Sequence, residues 1–454
     1  MADTIAAIST AFGEGGIGII RISGDDAEQI LKKIFVSDSQ LQNRRMTYGR
    51  IVDPRDGSTV DEVLAVFMKA PFTYTCEDVA EINCHGSVVS LRKTLALCYW
   101  AGAIPAQPGE FTKRAFLNGR LDLSQAEAVI DVIRAKTDKT FDVAVGQLEG
   151  SLSEAINSIR KDILDILVNI TVNIDYPDED IEEILYADLQ DSLLAISDKI
   201  GGLLASADAG KIIRDGLKVS IIGRPNVGKS SLMNGLLRET RAIVTEIPGT
   251  TRDTIEEMIS IKNIPVILTD TAGIRETADK IEKIGIEKSK QSFNESDLVI
   301  FMLDVSTPLS DEDKELMKYA AGRKTILLAN KQDLGTVITE NEINKYMPDA
   351  KIIWTSMKDP GSIETVEAEI EALVYEGLVS QNNSLMVTNA RHADLLEKSK
   401  SSIGDALVMT RAEEALEFIE VDIKRSYELL GEIIGESINE DIINEVFARF
   451  CLGK

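Results

Sequence analysis

Apolar and polar residues alternate with different spacings in different parts of the chain. Across residues 1–120, Gly16–Gly24 and Val63–Pro71 have the pattern of strands, and Asp53–Ser58 has the composition of a turn. Gly86–Ala103 has helical spacing. We therefore predict an α+β domain over residues 1–120.

Farther along, the apolar residues recur at steps of three and four, which predicts amphipathic helices. Ser124 and Glu127 have the spacing of a capping box that would open the first helical stretch. A second stretch runs from about Asn389 to Phe450. We predict that residues 121–215 and 379–454, the latter ending in Cys-Leu-Gly-Lys, form one discontinuous all-α helical domain that hosts an insertion.

The insertion, residues 216–378, alternates apolar runs with helical patterns, and each run ends where a polar motif begins. This arrangement is typical of a parallel sheet buried on both faces, with functional loops at the carboxyl ends of its strands. The runs are Lys218–Gly223, Val266–Asp270, Leu298–Asp304, Thr325–Lys331 and Lys351–Ser356. The chain is therefore predicted to be a multidomain protein with an inserted α/β domain.

Composition narrows the choice of function. The 454 residues include 49 basic and 75 acidic side chains, so the net charge is −26. A protein that grips nucleic acid unaided usually carries a basic stripe, so tight binding here would need a local patch or a more basic partner. Four cysteines do not make a disulfide framework in so long a chain, and only two histidines argue against structural zinc. With neither an export signal nor a membrane span in the pattern, we expect a cytoplasmic protein.

The candidate chemistry begins at Gly223–Ser230, which matches G-x-x-x-x-G-K-[ST] between a predicted strand and a predicted helix. Backbone N–H groups of such a loop wrap phosphates, and the helix N-terminus adds its dipole. Lys229 would bring positive charge to the β/γ oxygens, and Ser230 would offer a hydroxyl to Mg²⁺. The motif predicts a triphosphate site.

Three further motifs follow in order and indicate GTP. Thr251, in the Gly249–Asp253 motif, could reach Mg²⁺ when the γ-phosphate is present. The Asp270–Gly273 motif comes next, at the end of a predicted strand. Asp333 of the Asn330–Asp333 motif could accept guanine N1–H and the exocyclic amine, a donor pair that adenine lacks. Thr355–Lys358 would add a backbone contact to the guanine oxygen.

The hydrolytic residue is less evident from motif spacing. Ras-like enzymes orient the attacking water with a glutamine just after the D-x-x-G segment, but Ile274 stands there. Arg275, Glu276 and Glu282 are the candidates that follow. Arg252, Arg275 or a bound ion could stabilise the charge, and Asn226 could direct its amide oxygen to a monovalent cation.

Four segments outside the nucleotide motifs carry a family resemblance: Gly13–Gly24, Thr75–Gly86, Pro108–Val129 and Arg449–Lys454. With them, the chain resembles the tRNA-modification GTPase family called MnmE or TrmE over essentially its full length. The resemblance implies an N-terminal domain that binds folate and dimerises, and a Ras-like GTPase domain. It also implies a flavin-containing partner, MnmG (GidA), in a heterotetramer or larger complex. That complex would modify C5 of the tRNA wobble uridine at position 34 with a one-carbon unit from a formyl- or methylene-tetrahydrofolate.

The resemblance also implies a set of site residues. GTP hydrolysis would be activated by K⁺-dependent dimerisation of the GTPase domains, with Glu282 orienting the water. Cys451 would lie near the folate, and Lys229, Thr251 and Gly273 would act on the phosphates. The implied K⁺ ligands are Asn226, Thr245, Ile247 and Thr250, the Mg²⁺ ligands are Ser230 and Thr251, and the folate contacts are Arg21, Glu81, Arg120 and Lys454. The implied nucleotide contacts are Asn226, Val227, Gly228, Lys229, Ser230, Ser231, Thr245, Gly249, Thr250, Thr251, Asp270, Gly273, Asn330, Lys331, Asp333, Ser356, Met357 and Lys358.

Some features depart from the pattern or leave alternatives open. Cys76 stands where relatives commonly have glycine, and His85 and His392 are interpreted as structural. Cys451 could also be an incidental thiol on a docked tail. The main alternative function is a GTP-dependent ribosome-assembly or signalling switch, although such proteins usually add basic RNA-binding domains. A folate-dependent transferase acting alone is disfavoured because no general base stands out in residues 1–120.

Overall fold

The computed structural model describes residues 3–175, 185–239, 256–270, 293–375 and 385–454. The chain divides into two compact units. One consists of Met1–Ile130, Gln147–Thr171 and Ile423–Lys454, and the other of Asp131–Gly146 and Val172–Asp422. Within the described ranges, none of the helices combines the length and apolar character that crossing a bilayer requires. The domain limits at residues 120, 215 and 378 stay a prediction.

Helices separate the strands of the first sheet from those of the second. The described strands are β1 Ile5–Ile8, β2 Gly15–Ser23, β3 Phe35–Val36, β4 Thr47–Val52, β5 Thr59–Met68, β6 Val79–Gly86, β7 Ile104–Pro105, β8 Leu217–Ile222, β9 Glu256–Ile261, β10 Ile264–Asp270, β11 Leu298–Asp304, β12 Thr325–Asn330 and β13 Lys351–Trp354. The described α-helices are α1 Ala27–Ile34, α2 Val88–Ala101, α3 Glu110–Leu117, α4 Leu123–Arg134, α5 Asp138–Leu148, α6 Ser151–Asp175, α7 Tyr186–Leu204, α8 Ala207–Asp215, α9 Lys229–Glu239, α10 Asp311–Ala320, α11 Glu340–Asn344, α12 Gly361–Val374, α13 Ala390–Arg411, α14 Leu416–Ile434 and α15 Glu440–Ala448.

The first unit contains a seven-stranded sheet in the order β3-β4-β5-β6-β2-β1-β7. Because side chains alternate across a strand, Ile20, Ile22 and Ile82 point into the core that α1 and α2 complete. Arg21 and Glu81, which pair in register across β2 and β6, therefore lie on the opposite face. The predicted α+β character of residues 1–120 is confirmed.

The predicted capping box at Ser124 and Glu127 is wrong by two residues. The Asp122 carboxylate accepts the Gln125 backbone N–H at 2.9 Å, and the Gln125 side-chain oxygen accepts the Asp122 N–H at 3.0 Å. Ser124 lies inside α4, where its hydroxyl bonds to Asp122 and Ser153. The same reciprocal arrangement thus caps α4, but with Asp122 and Gln125.

The second unit contains a six-stranded sheet in the order β13-β12-β11-β8-β10-β9. Its strands pair in parallel except for β9, which is antiparallel to β10 at one edge. All five predicted apolar runs are strands, whereas β9 was not predicted. Apolar clusters cover both faces, as a buried parallel sheet requires. The carboxyl ends of β8, β11 and β12 therefore meet at one edge.

Candidate functional site

The phosphate loop leaves β8 at Gly223 and enters α9 at Lys229. Gly228 has φ +113°, and a Cβ there would lie 2.4 Å from Nδ2 of Asn330. Asn226 also has a positive φ, 63°. The Lys229 ammonium donates to the carbonyls of Gly223 at 2.6 Å and Arg224 at 2.8 Å, so it closes the loop on itself. Positive φ angles and a tightly turned backbone are typical of the concave loops whose N–H groups bind phosphate.

Asn330 ties the phosphate loop to the guanine-reading segment. Its side chain is 2% exposed. The amide nitrogen donates to the Val227 carbonyl at 2.7 Å, and the amide oxygen accepts the Met357 backbone N–H at 3.1 Å. One buried side chain therefore sets the spacing between two motifs that are far apart in the sequence.

The Asp333 carboxylate is held by two donors. Ser356 Oγ donates to Oδ1 at 2.9 Å, and Lys358 Nζ donates to Oδ2 at 2.8 Å. The Lys358 hydrogen bond, followed by that of Ser356, lowers the pKa of Asp333 below its ordinary value. An ionised carboxylate is what guanine recognition requires, since it must accept both N1–H and the 2-amino group.

Lys331 has a partner that motif spacing did not predict. Its ammonium lies 2.6 Å from Oδ2 of Asp304, at the end of β11. Burial alone would raise the pKa of the Asp304 carboxyl, but hydrogen bonds from Lys331 and Ser306 outweigh it and hold the pKa below the usual value. The only signal in the sequence is that an acid ends the apolar run of β11.

Some predicted ligands lie within the described residues and many lie outside them. Within them, Ser230 and Ser231 are exposed in the first turn of α9, where a hydroxyl can face a phosphate-bound metal. Asp270 ends β10, but its side chain is outside the described part. The predicted residues that lie wholly outside are Thr245, Ile247, Gly249, Thr250, Thr251, Arg252, Gly273, Ile274, Arg275, Glu276 and Glu282.

A second cluster lies on the face of the first unit's sheet that is opposite the core formed with α1 and α2. Arg21 Nε lies 2.8 Å from Oε1 of Glu81. The Arg21 guanidinium lies 5.2 Å from the Tyr74 ring centre and 5.7 Å from that of Phe111. The Arg120 guanidinium lies over the same Tyr74 ring at 4.6 Å. Three of the four predicted folate contacts are thus brought together around one tyrosine.

The C-terminal segment docks beside this cluster. The Phe111 N–H donates to the Lys454 carbonyl at 3.1 Å, and the Gly109 N–H donates to that of Cys451 at 3.4 Å. Gly453 has φ +87°, and a Cβ there would lie 2.1 Å from the Ile8 carbonyl. The backbone of Lys454 is therefore anchored at the start of α3, and the Cys451 side chain is exposed.

Comparison with known proteins decides the family. Residues 123–451 match a family model described as the MnmE helical domain, and residues 4–120 match one described as the GTP-binding protein TrmE N-terminus. The chain belongs to the MnmE family. The predicted family and fold class are confirmed, and MnmE membership makes the chain a GTP hydrolase.

The MnmE relatives are similar over their whole length. The tRNA modification GTPase MnmE of Clostridioides difficile strain 630 is 50% identical over 457 residues, which cover 100% of this chain and 99% of the relative. That of Alkaliphilus oremlandii strain OhILAs is 49% identical with the same coverage. Among solved structures, the FeoB G-domain from Methanococcus jannaschii is 26% identical over 35% of this chain and 97% of its own chain, with a TM-score of 0.26.

The structure adds residues that motif analysis of this MnmE chain missed. Tyr74 and Phe111 contact the predicted folate residues, and Asp304 contacts a nucleotide motif. Tyr74 stands immediately before the Thr75–Gly86 motif, so its place beside a family motif was the available signal.

Proposed function

We propose that this MnmE-family GTPase acts in the cytoplasm as a homodimer with a flavin-containing partner, MnmG (GidA). The complex modifies C5 of the wobble uridine at position 34 of certain tRNAs with a folate one-carbon unit. The observation that carries the proposal is the cluster of Arg21, Glu81, Arg120 and Tyr74, which lies in a unit that does not contain the phosphate loop. A GTPase that only switched between nucleotide-bound forms would not need such a cluster.

The chemistry of the cluster suits a reduced folate. A pterin presents an N3–H and a 2-amino group, and Glu81 is an acceptor of matching type on this face. Its Oε1 already accepts Arg21 Nε, but each carboxylate oxygen has two lone pairs and can accept again. Tyr74 holds the Arg21 and Arg120 guanidinium groups over its ring, and Arg120 offers charge for the glutamate tail. A one-carbon donor bound here would supply the carbon for the modification.

Charge supports a division of labour with the partner. At a net charge of −26, this chain repels a polyanion at long range. We propose that MnmG holds most of the tRNA. Tight tRNA binding by this chain alone at physiological salt would contradict that assignment.

We propose that hydrolysis is activated by K⁺ when two GTPase domains dimerise, with Mg²⁺ on Ser230 and Thr251. Of the four proposed K⁺ ligands, Asn226 lies within the described residues, where it is exposed in the phosphate loop. GTP hydrolysis should be much faster in K⁺ than in Na⁺, and equal rates would remove the ion from the mechanism. Glu282→Ala should slow hydrolysis and leave GTP affinity unchanged, as expected of a group that acts in the transition state.

The deciding experiment measures wobble-uridine modification by mass spectrometry of tRNA from cells that lack this chain. Cells complemented with Glu81→Gln should lack the modification although the purified variant still hydrolyses GTP. Glu62→Gln, which changes an exposed acid on β5 of the same sheet, is the matched control and should restore it. Normal wobble uridines in the deletion strain, together with immature ribosomes, would favour the ribosome-assembly alternative.

A further inference from the structure

Residues 304–313, which run from the last residue of β11 into the first turn of α10, lie outside every nucleotide motif but contain two buried acids. Asp304 is 8% exposed and Asp313 is 0% exposed. Buried carboxylates need charged or hydrogen-bonding partners, because desolvation otherwise costs several kcal/mol. The cationic partners of these two acids come from the two predicted nucleotide-binding loops.

Asp304 lies against the guanine-reading loop. It accepts hydrogen bonds from Lys331 Nζ at 2.6 Å, from Ser306 Oγ at 2.6 Å and from the Ser306 N–H at 3.0 Å. The neighbouring Val305 N–H donates to the Asn330 carbonyl at 3.0 Å. The Lys331 backbone is in the left-handed region, at φ 68°, so the ion pair holds a side chain on a tightly turned segment.

Asp313 lies against the phosphate loop. Its Oδ1 accepts Arg224 Nε at 2.7 Å, and its Oδ2 accepts the Ser310 hydroxyl and N–H at 2.7 and 3.0 Å. The Arg224 carbonyl meanwhile accepts Lys229 Nζ at 2.8 Å. The Arg224 side chain is therefore fastened to α10 while its backbone carbonyl contacts the phosphate-binding lysine.

The two contacts have a common geometry. Each joins a buried carboxylate of residues 304–313 to a cation within a nucleotide motif, at a charge-assisted hydrogen-bond distance. To cap α10, Asp313 needs only its hydrogen bonds with Ser310 and not its ion pair with Arg224. To end β11, Asp304 needs no ion pair with Lys331. The second oxygen of each acid is used to hold a nucleotide loop.

We propose that Asp304 and Asp313 are positioning residues for GTP binding, Asp304 through Lys331 of the guanine-reading loop and Asp313 through Arg224 of the phosphate loop. Neither acid touches the nucleotide in this proposal. Asp304 should matter for any guanine nucleotide, whereas Asp313 should matter only when a β-phosphate fills the loop.

The test measures the affinities of the full chain for GMP, GDP and GTP by calorimetry or by competition with a fluorescent guanine nucleotide. Asp304→Asn should weaken all three by about tenfold, since the amide keeps an acceptor but loses the charge. Asp313→Asn should weaken GDP and GTP by about tenfold and GMP by less than about threefold. Asp311→Asn is the matched control, because this 96%-exposed acid lies in the same first turn of α10; it should leave all three affinities unchanged.

Thermal unfolding without nucleotide separates positioning from a general loss of stability. The proposal would be overturned if both variants lost affinity equally for all three nucleotides and also had a lower Tm. It would also be overturned if their affinities stayed within about twofold of native. Arg224→Gln removes the other partner of the Asp313 ion pair and should weaken GDP and GTP more than GMP, whether or not Asp313→Asn folds. Where both variants fold, the double variant should lose no more GDP affinity than either single variant. Additive losses would overturn the role of Asp313 through Arg224.

Discussion

Gly228→Ala should weaken guanine-nucleotide binding because the new methyl group would collide with the amide that joins the two nucleotide loops. The Cβ would lie 2.4 Å from Asn330 Nδ2, too close for the side chain to stay in place. Asn330 cannot move without loosening its hydrogen bonds to Val227 and Met357. The substitution thus acts on the base-reading segment although it is made in the phosphate loop.

The magnitude follows from two separable effects. Each hydrogen bond of Asn330 contributes about 1 kcal/mol net, so losing both corresponds to about a thirtyfold loss of affinity. Alanine at φ +113° adds about 1–3 kcal/mol of backbone strain, which should appear mainly as lower stability.

Titration of the full chain with a fluorescent GDP analogue, with thermal unfolding in parallel, measures both effects. Gly322→Ala is the matched control because Gly322 also has a positive φ, +80°, but its Cβ would have nothing within 4 Å. We expect the control to lose stability and keep native affinity. A GDP affinity of Gly228→Ala within about threefold of native would refute the reasoning.

Three further predictions concern single side chains. Asp333→Asn should shift base preference from GTP toward xanthosine triphosphate, and unchanged selectivity would show that another group reads the base. Cys76 has φ 60°, so Cys76→Gly should be at least as stable to urea as the native chain, and Cys76→Val less stable than Cys76→Gly by about 1–2 kcal/mol. The hydrogen bond from His85 to Asp61, and then the Asp61 charge, raise the pKa of His85; this stabilisation should be full below about pH 6.5 and lost as pH rises through the folded-state pKa. The Tm should therefore fall more between pH 6 and pH 8.5 for the native chain than for His85→Asn. Equal falls in Tm would exclude the His85–Asp61 pair as the source of this pH dependence.

Features that depend on residues adjacent in the chain could be predicted from the sequence. The phosphate loop of Gly223–Ser230 is local, because a strand, a turn and a helix N-terminus are consecutive in the chain. The five strands of the second sheet could be predicted for the same reason, since a strand buried on both faces is a continuous apolar run. The antiparallel strand β9 was missed because it alternates at a sheet edge and carries no motif at its end.

Features that depend on tertiary neighbours could not be predicted. The capping-box prediction failed because two overlapping patterns, Asp122 with Gln125 and Ser124 with Glu127, both satisfy the spacing rule. In the structure Ser124 lies inside the helix, and its hydroxyl bonds to Ser153, 29 residues away. Tyr74 was likewise missed, because its contacts with two arginines join residues that are distant in sequence, and the only sequence signal was its place beside the Thr75–Gly86 motif.

The buried acids of residues 304–313 show why motif analysis underestimates this kind of site. Motifs identify side chains that meet the ligand, but the spacing between the phosphate loop and the guanine-reading loop is set by Asn330 and, in our proposal, by Asp304 and Asp313. Base recognition and phosphate binding are then linked through shared contacts, so the effects of variants in the two loops should not simply add. An affinity loss in either loop therefore cannot by itself assign a residue to base or phosphate, and comparison across GMP, GDP and GTP is the measurement that can.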